Sequence, residues 1–592
     1  MRNYKAIIFI LFSILLFACS TNRIDVPEIT TSELQDHINY LASEELAGRL
    51  PGSEGDLKSA EYIRDALESW GLTPAIDDGL QSFEIVSSIK KGEDNSLIVN
   101  DNPVSPELFM PLAISESMEL TAGIVFAGYG FNIESDTMNW ADYDGLDIAG
   151  KWVMLLRADP EVDNPSSNFA TISADRDKVM TAKDLGAGGV LLVSGKEFDP
   201  RDEFESLAKG EYSTGIPVLR IKREVADIIL EENNESIEAL EQRINESYSS
   251  HSFDIDCTVE GKAELIEEKV NTFNVLMTLP GNDPVLKDEY LVIGGHYDHL
   301  GMGGPGTSSR TPDTTAAHYG ADDNASGIAS MLEVAEKYAA EGNNARSVLF
   351  AAFGAEEMGL LGSKYLVENM PVKPENINAM INLDMIGRLK ENRTIQIGGV
   401  GTGQEFEDII HNSTDTAVLR LSLSQEGYGP SDHSAFYGKD IPVLFFSTGA
   451  HLDYHTPFDT PDRINYDGLV DVSELVYDIS MELCSKRTKI AFREAGPRTQ
   501  THRGMRRKGV TLGIMPDFAG NVQNGLRADF VTPGRPAAIG GMQKGDIIVA
   551  INGKTINNIQ DYMFRLSKLE HGQTIQVEII RDDVTELLLI AL

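Results

Sequence analysis

Apolar residues recur along this chain with two different periods, and the period changes with position. Near the start the spacing is helical. Leu34, Ile38 and Leu41 share one face of a segment from about Ser32 to Ser43, and Thr30-x-x-Glu33 ahead of it forms a capping box. Ala60, Ile63, Leu67 and Trp70 line a second helix, about Asp56 to Trp70, that stops at Gly71. The stretch LAGRLPGSEG (46–55) between them is turn-rich. From 104 to 257 short apolar runs take over. GIVFAGYGF (123–131) and KWVMLLRAD (151–159) predict strands. KVMTAKDLGAGGVLLVSG (178–195) predicts helix, tight turn and buried strand, and IPVLRIKREVADIIL (216–230) predicts strand then helix.

From about Ile266 the pattern changes again. NVLMTLPG (274–281), EYLVIGGHYD (289–298), SVLFAAFGAEE (347–357), INAMINLDMIG (377–387) and IPVLFFSTG (441–449) are nearly all apolar, as strands covered on both faces are. Residues 324–342 carry Ile328, Met331, Leu332 and Ala335 at helical spacing. Strands alternating with helices predict an α/β fold, an open mixed sheet with helices on both faces. Sites in such sheets gather beyond the carboxyl ends of the strands, where His296, Glu357 and Asp384 fall.

At 592 residues the chain has room for several domains. A net charge of −42 argues against nucleic acid as a partner, since phosphate binding needs clustered Lys and Arg. Arg2 and Lys5 precede an apolar run, Ala6 to Ala18, too short to span a bilayer and ending Leu16-Phe17-Ala18-Cys19. That ending resembles a bacterial lipobox. It implies cleavage before Cys19, a lipid anchor there, and a place in the cell envelope. Cys257 and Cys484 are the two other cysteines, and the expectation is two separate buried thiols rather than a disulfide.

The chemistry lies in five segments: GGHYDH (294–299), GADDNASG (320–327), GAEE (354–357), INLDMIG (381–387) and DYHTPFDT (453–460). His296 and Asp298 stand two apart on a strand, so both side chains point one way and Asp298 is placed to accept from the second ring N–H of His296. Asp322-Asp323-Asn324 heads a helix, where a carboxylate serves as an N-cap or is held rigidly between two metals. Glu356 and Glu357 diverge as neighbours, so one can bind metal while the other faces water. At the end of a buried strand two such acids are costly without a partner, and Asp384 in its apolar strand makes the same case. His455 completes an inventory that suits two zinc ions and one free carboxylate.

Residues 266–490 resemble the co-catalytic dizinc aminopeptidases, relatives of the glutamate carboxypeptidases, with all five motifs in order. The resemblance implies two Zn²⁺ per chain, one held by His296 and Asp384, the other by Glu357 and His455, with Asp323 bridging. It makes Glu356 the general base, Asp298 the residue that orients His296, and Tyr454 a donor to the developing oxyanion. It also implies a cis peptide between Asp323 and Asn324. His299, His318, His433 and His451 lie near the motifs as candidates for supporting roles, and Asp459 is a candidate brace for His455. Gly301 to Gly306 is no phosphate loop, because no strand–loop–helix with Lys follows.

Two flanking resemblances complete the layout. YDGLDIAGKWVML, DLGAGGVLLV and IPVLRI resemble a protease-associated (PA) domain, which implies a cover for the substrate cleft. VTLGI (510–514) and PAAIGGMQKGDIIVAINGKTI (536–556) resemble a PDZ domain, of α+β type, which implies a site for an extended peptide or protein C-terminus. The chain then reads as signal peptide (1–18), tether (19–30), first part of the peptidase domain (31–103), inserted PA domain (104–257), catalytic zinc peptidase domain (266–493), basic linker (494–508) and PDZ domain (509–592). The leading expectation is a zinc aminopeptidase acting on peptides. A carboxypeptidase or dipeptidase of the same plan, and a non-catalytic PA/PDZ binding protein, are the alternatives.

Overall fold

In the computed structural model the described residues are 28–592 apart from 135–137, 163, 165–166, 171, 206, 208–211, 305–306, 496–509, 517–521 and 523. The signal segment, Cys19 and the basic residues of the linker lie outside them. No helix among the described residues is long and apolar enough to cross a membrane.

The sheet that carries the five motifs has nine strands: β1 (Thr73–Pro74), β2 (Leu80–Lys91), β3 (Leu265–Leu279), β4 (Tyr290–His296), β5 (Ser347–Phe353), β6 (Ile377–Leu383), β7 (Thr394–Gly398), β8 (Arg420–Leu423) and β9 (Val443–Ser447). They run in the order β1-β3-β5-β4-β6-β9-β7-β8, with β2 beside β3. The central strands β5, β4, β6 and β9 are parallel, and β3 and β7 flank them antiparallel. Every residue of β5 and β6 is buried, because helices cover both faces. Leu291, Ile293, Phe350 and Ile381 pack into a core shared with helices Gly327–Glu341 and Tyr466–Ser485. Val292, Leu349, Phe353 and Met380 point the other way, toward Leu366 and Phe436. Each such fully buried side chain contributes about 1.5–3 kcal/mol.

The first helix is Thr31–Leu41, and its Thr30 cap accepts from the Glu33 N–H as the capping pattern predicts. The second is Glu54–Ser69, and Gly71 follows it at φ +86°.

β2 and β3 form an antiparallel ribbon, from Leu265 opposite Lys91 to Val275 opposite Leu80, with a register shift between Glu268 and Lys269. A second, eight-stranded sheet hangs from its far end. It begins with strand Ser96–Val99 and closes with strand Ser252–Lys262, which pair with each other. It is therefore wider than the 104–257 segment, because its first and last strands need one another's backbone groups. Cys257 and Cys484 are free and buried, in separate cores.

The C-terminal unit is a six-stranded sheet with helix Ile559–Ser567. One face of that helix, Tyr562 and Leu566, enters its own core. Another meets helix Asp175–Asp184 of the second domain. Arg176 Nη2 donates to Asp561 Oδ1 at 2.8 Å, and Arg565 pairs with Asp184. On its other side the unit touches the first domain, where Lys544 reaches Asp440 at 2.6 Å and the rings of Phe530 and Tyr428 lie 6.0 Å apart.

Candidate metal centre

The motif residues converge where the parallel strands end. His296 is the last residue of β4, Asp384 directly follows β6, and Glu356 and Glu357 lie just beyond β5. Asp323 stands at the head of helix Gly327–Glu341, and the peptide between Asp323 and Asn324 is cis. Asp323 sits between two groups. Its Oδ1 lies 3.2 Å from His296 Nε2, which is 3.5 Å from Asp384 Oδ1. Its Oδ2 lies 3.3 Å from His455 Nε2, which is 3.1 Å from Glu357 Oε2. Two ligand atoms on one tetrahedral zinc stand about 3.3 Å apart, given bonds of about 2.0 Å. Both groups have that spacing. His455 Nε2 is buried and has no hydrogen-bond partner despite two carboxylates beside it, a geometry that suits a cation between them.

Electrostatics follow from the packing. Burial drives the Glu356 pKa well above the usual carboxylate value, with His296 opposing and Asp432, Glu357 and Asp384 adding to it. Burial also opposes ionisation of Asp323, but His296 and His455 outweigh it and hold that carboxylate ionised. Glu356 Oε2 is 4.0 Å from His296 Nε2, so the free carboxylate faces the first group. Tyr454 is half-buried and stacked on the His455 ring, with centroids 3.8 Å apart. Burial raises its pKa, so the hydroxyl keeps its proton and remains a donor.

Two expected contacts are different in the structure. Asp298 does not take the His296 ring N–H on its carboxylate, which is 3.7 Å away. The ring Nδ1 donates instead to the Asp298 carbonyl at 3.2 Å. The strand ends at His296, so the two-residue alternation no longer holds at Asp298. Its carboxylate accepts the N–H of Glu356 at 2.9 Å and of Glu357 at 3.3 Å, and so shapes the loop that presents both acids. Asp459 does not brace His455, whose Nδ1 donates to the Ser308 carbonyl at 3.1 Å. Asp459 accepts instead from Asp322 and Asp323.

The four other histidines separate by contact. His299 Nδ1 lies 2.7 Å from Glu357 Oε1. His318 pairs with Ser309 Oγ at 2.8 Å. His451 Nε2 lies 3.2 Å from Asp322 Oδ2, and His433 stacks on Phe445 in the core, where burial lowers its pKa to about 3.

Two residues with no assigned role in the sequence hold the loops together. Asn324 donates from Nδ2 to the carbonyls of His296 and Leu383, and its Oδ1 accepts from Met385 and Gly327. It thus ties the ends of β4 and β6 to the helix. Arg49, buried in the turn-rich LAGRLPG stretch, donates to the carbonyls of Leu41, Tyr297, Tyr319 and Gly320. A lone Arg among turn residues carries no local signal of that role.

Residues 274–480 match peptidase family M28, and residues 510–592 match the PDZ domain. Residues 274–480 are an M28 peptidase domain. Aminopeptidase YwaD of Bacillus subtilis (strain 168) is 25% identical over 458 residues, covering 76% of this chain and 84% of that protein. A probable leucine aminopeptidase of Arthroderma otae is 26% identical over 234 residues, 38% of this chain, and the match spans 59% of the fungal protein's length. A probable zinc metalloprotease of Pyrenophora tritici-repentis is 34% identical over 173 residues, 29% of this chain and 37% of its own. Among solved structures, the aminopeptidase from Aneurinibacillus sp. strain AM-1 is 22% identical, with a TM-score of 0.45 over 78% of this chain and 95% of that one. All five motif segments lie within the M28 domain.

Proposed function

We propose that this zinc metallo-aminopeptidase uses two zinc ions sharing Asp323, with Glu356 as general base, to remove N-terminal residues from peptides. The observation that carries the reading is the division of the Asp323 oxygens, Oδ1 toward His296 and Oδ2 toward His455. His296 and Asp384 would hold one ion, and Glu357 and His455 the other. Zinc supplies Lewis acidity and makes a water nucleophilic near neutral pH. The chain's own residues do the rest. Glu356, with its raised pKa, takes a proton from the attacking water and returns it to the leaving amine. The Asp298 carboxylate fixes the Glu356 backbone, and so the base. The neutral Tyr454 hydroxyl donates to charge developing on the substrate carbonyl.

The eight-stranded second domain supports a PA-type cover, and the lipobox-like run ending at Cys19 supports a lipid tether in a bacterial envelope. The PDZ domain supports capture of an extended peptide. Zinc analysis combined with digestion of matched peptides tests the reading. Two zincs per chain, with cleavage of free but not blocked N-termini, is the expected result. Cleavage of blocked peptides from the carboxyl end would favour a carboxypeptidase.

A further inference from the structure

Behind Glu357 lies an imidazole that the five-residue zinc plan leaves without a task. His299 is fully buried, and its backbone N–H donates to the Arg49 carbonyl at 3.2 Å. Its Nδ1 lies 2.7 Å from Glu357 Oε1, and its ring stands edge-on to His455 with centroids 5.8 Å apart. Gly320 makes the room. It sits at φ +54°, and a Cβ there would lie 2.7 Å from His299 Cδ2 and 2.1 Å from the Asp323 carbonyl.

An imidazole in this place is either a further ligand or a donor to Glu357, and the distances separate the two. Atoms on one tetrahedral zinc stand about 3.3 Å apart. His455 Nε2 meets that spacing toward Asp323 and toward Glu357 Oε2. His299 Nδ1 does not, being 2.7 Å from Glu357 Oε1 and 3.8 Å from Asp323 Oδ2. The shorter distance is that of a charge-assisted N–H···O⁻ bond. A carboxylate only accepts, so Nδ1 carries the hydrogen.

We propose that His299 is a positioning residue whose Nδ1–H holds Glu357 Oε1, so that Oε2 alone faces the metal shared with His455 and Asp323. The inference rests on the two-zinc reading above. A carboxylate left free can turn or chelate through both oxygens, and pinning one removes that freedom before binding. Partners of this kind typically contribute 10- to 100-fold in metal affinity. The effect falls on one half-site, because among the described residues His299 bonds Glu357, nears Asp323 at Oδ2, the oxygen that faces His455, at 3.8 Å, and meets neither Asp384 nor His296.

Calorimetric titration of the demetallated full-length protein with Zn²⁺ tests this on wild type, His299→Leu and His299→Asn. The Asn amide reaches the place of Nδ1 and donates. Wild type is expected to bind two ions. His299→Leu should keep one at wild-type affinity and bind the second about 10- to 100-fold more weakly, and His299→Asn should recover most of that loss. Should His299→Leu fail to fold by circular dichroism, His299→Phe keeps a ring without a donor and takes its place. Undiminished binding of both ions by the donor-less variant, or an Asn variant as weak as it, overturns the positioning role and leaves the two-zinc reading intact. A wild type that binds a single ion overturns both.

Discussion

Asp459 Oδ2 accepts the backbone N–H of Asp323 at 3.0 Å, and that of Asp322 at 2.9 Å. One buried carboxylate oxygen thus fixes the backbone from which the Asp323 carboxylate projects. Removing the acceptor leaves two buried amides unpaired, at about 1–3 kcal/mol each. Asp459→Ala is expected to lower the melting temperature and weaken zinc retention. Thermal melts with and without chelator read both, and wild-type values in both would refute the bracing role.

Glu356 is the acid whose Oε2 faces His296 Nε2 at 4.0 Å, and in the proposed reading it binds neither ion. Glu356→Gln should keep the full zinc content and lose roughly 10²–10⁴ in kcat, the usual contribution of a positioned base. Zinc analysis beside hydrolysis of a chromogenic aminoacyl anilide makes the comparison. Undiminished turnover would exclude Glu356 as the base.

Arg49 joins the first helix to the loops at Tyr297 and Gly320 through four carbonyls. Burial lowers its pKa only to about 10, so it stays charged. Arg49→Met should cost at least about 3 kcal/mol in urea unfolding. Arg49→Lys should not restore it, since an ammonium lacks the planar fork that reaches several carbonyls at once.

Burial raises the Asp56 pKa to about 7, against the bonds it accepts from Gly52 N and Thr272 Oγ1. Its folded pKa lies above the unfolded value, so the native state holds a proton that the unfolded chain releases. The contribution to stability is full below about pH 4 and is lost as pH rises through about 7, at about 1.4 kcal/mol for each pH unit crossed. Asp56→Asn should flatten this part of the stability profile. Urea midpoints at pH 4.5 and 7.5 measure the slope, and an unchanged slope would refute the assignment.

Arg176 and Asp561 join the second domain to the PDZ domain with side chains 12% and 3% exposed. Removing one partner of so buried a pair leaves a charge uncompensated, at about 3–5 kcal/mol. Arg176→Met should therefore loosen the PDZ domain, and adding Asp561→Asn should recover part of the loss. Hydrogen exchange over 559–567 reports it, and strictly additive effects would show the pair to be uncoupled.

The sequence determined the motif set and most of the central elements. Nearly continuous apolar runs marked β4, β5, β6 and β9, because strands covered on both faces have no polar side to show. The same runs placed His296, Glu357 and Asp384 at strand ends, where a site had to lie. Local pattern also gave the capping of the first helix at Thr30. The tertiary structure decided which side chain serves which neighbour. Strand alternation puts Asp298 on the same side as His296, but the strand ends at His296, two residues before it. Asp459 lies four residues from His455, yet it turns to a loop 136 residues earlier in the chain. Arg49, Asn324 and the pairing of Ser96–Val99 with Ser252–Lys262 left no sequence mark. A hydrogen bond to a distant carbonyl or amide constrains only a residue's size and polarity, which many residues satisfy. Periodic burial is written along the chain, whereas the geometry of a metal centre arises only when distant loops meet.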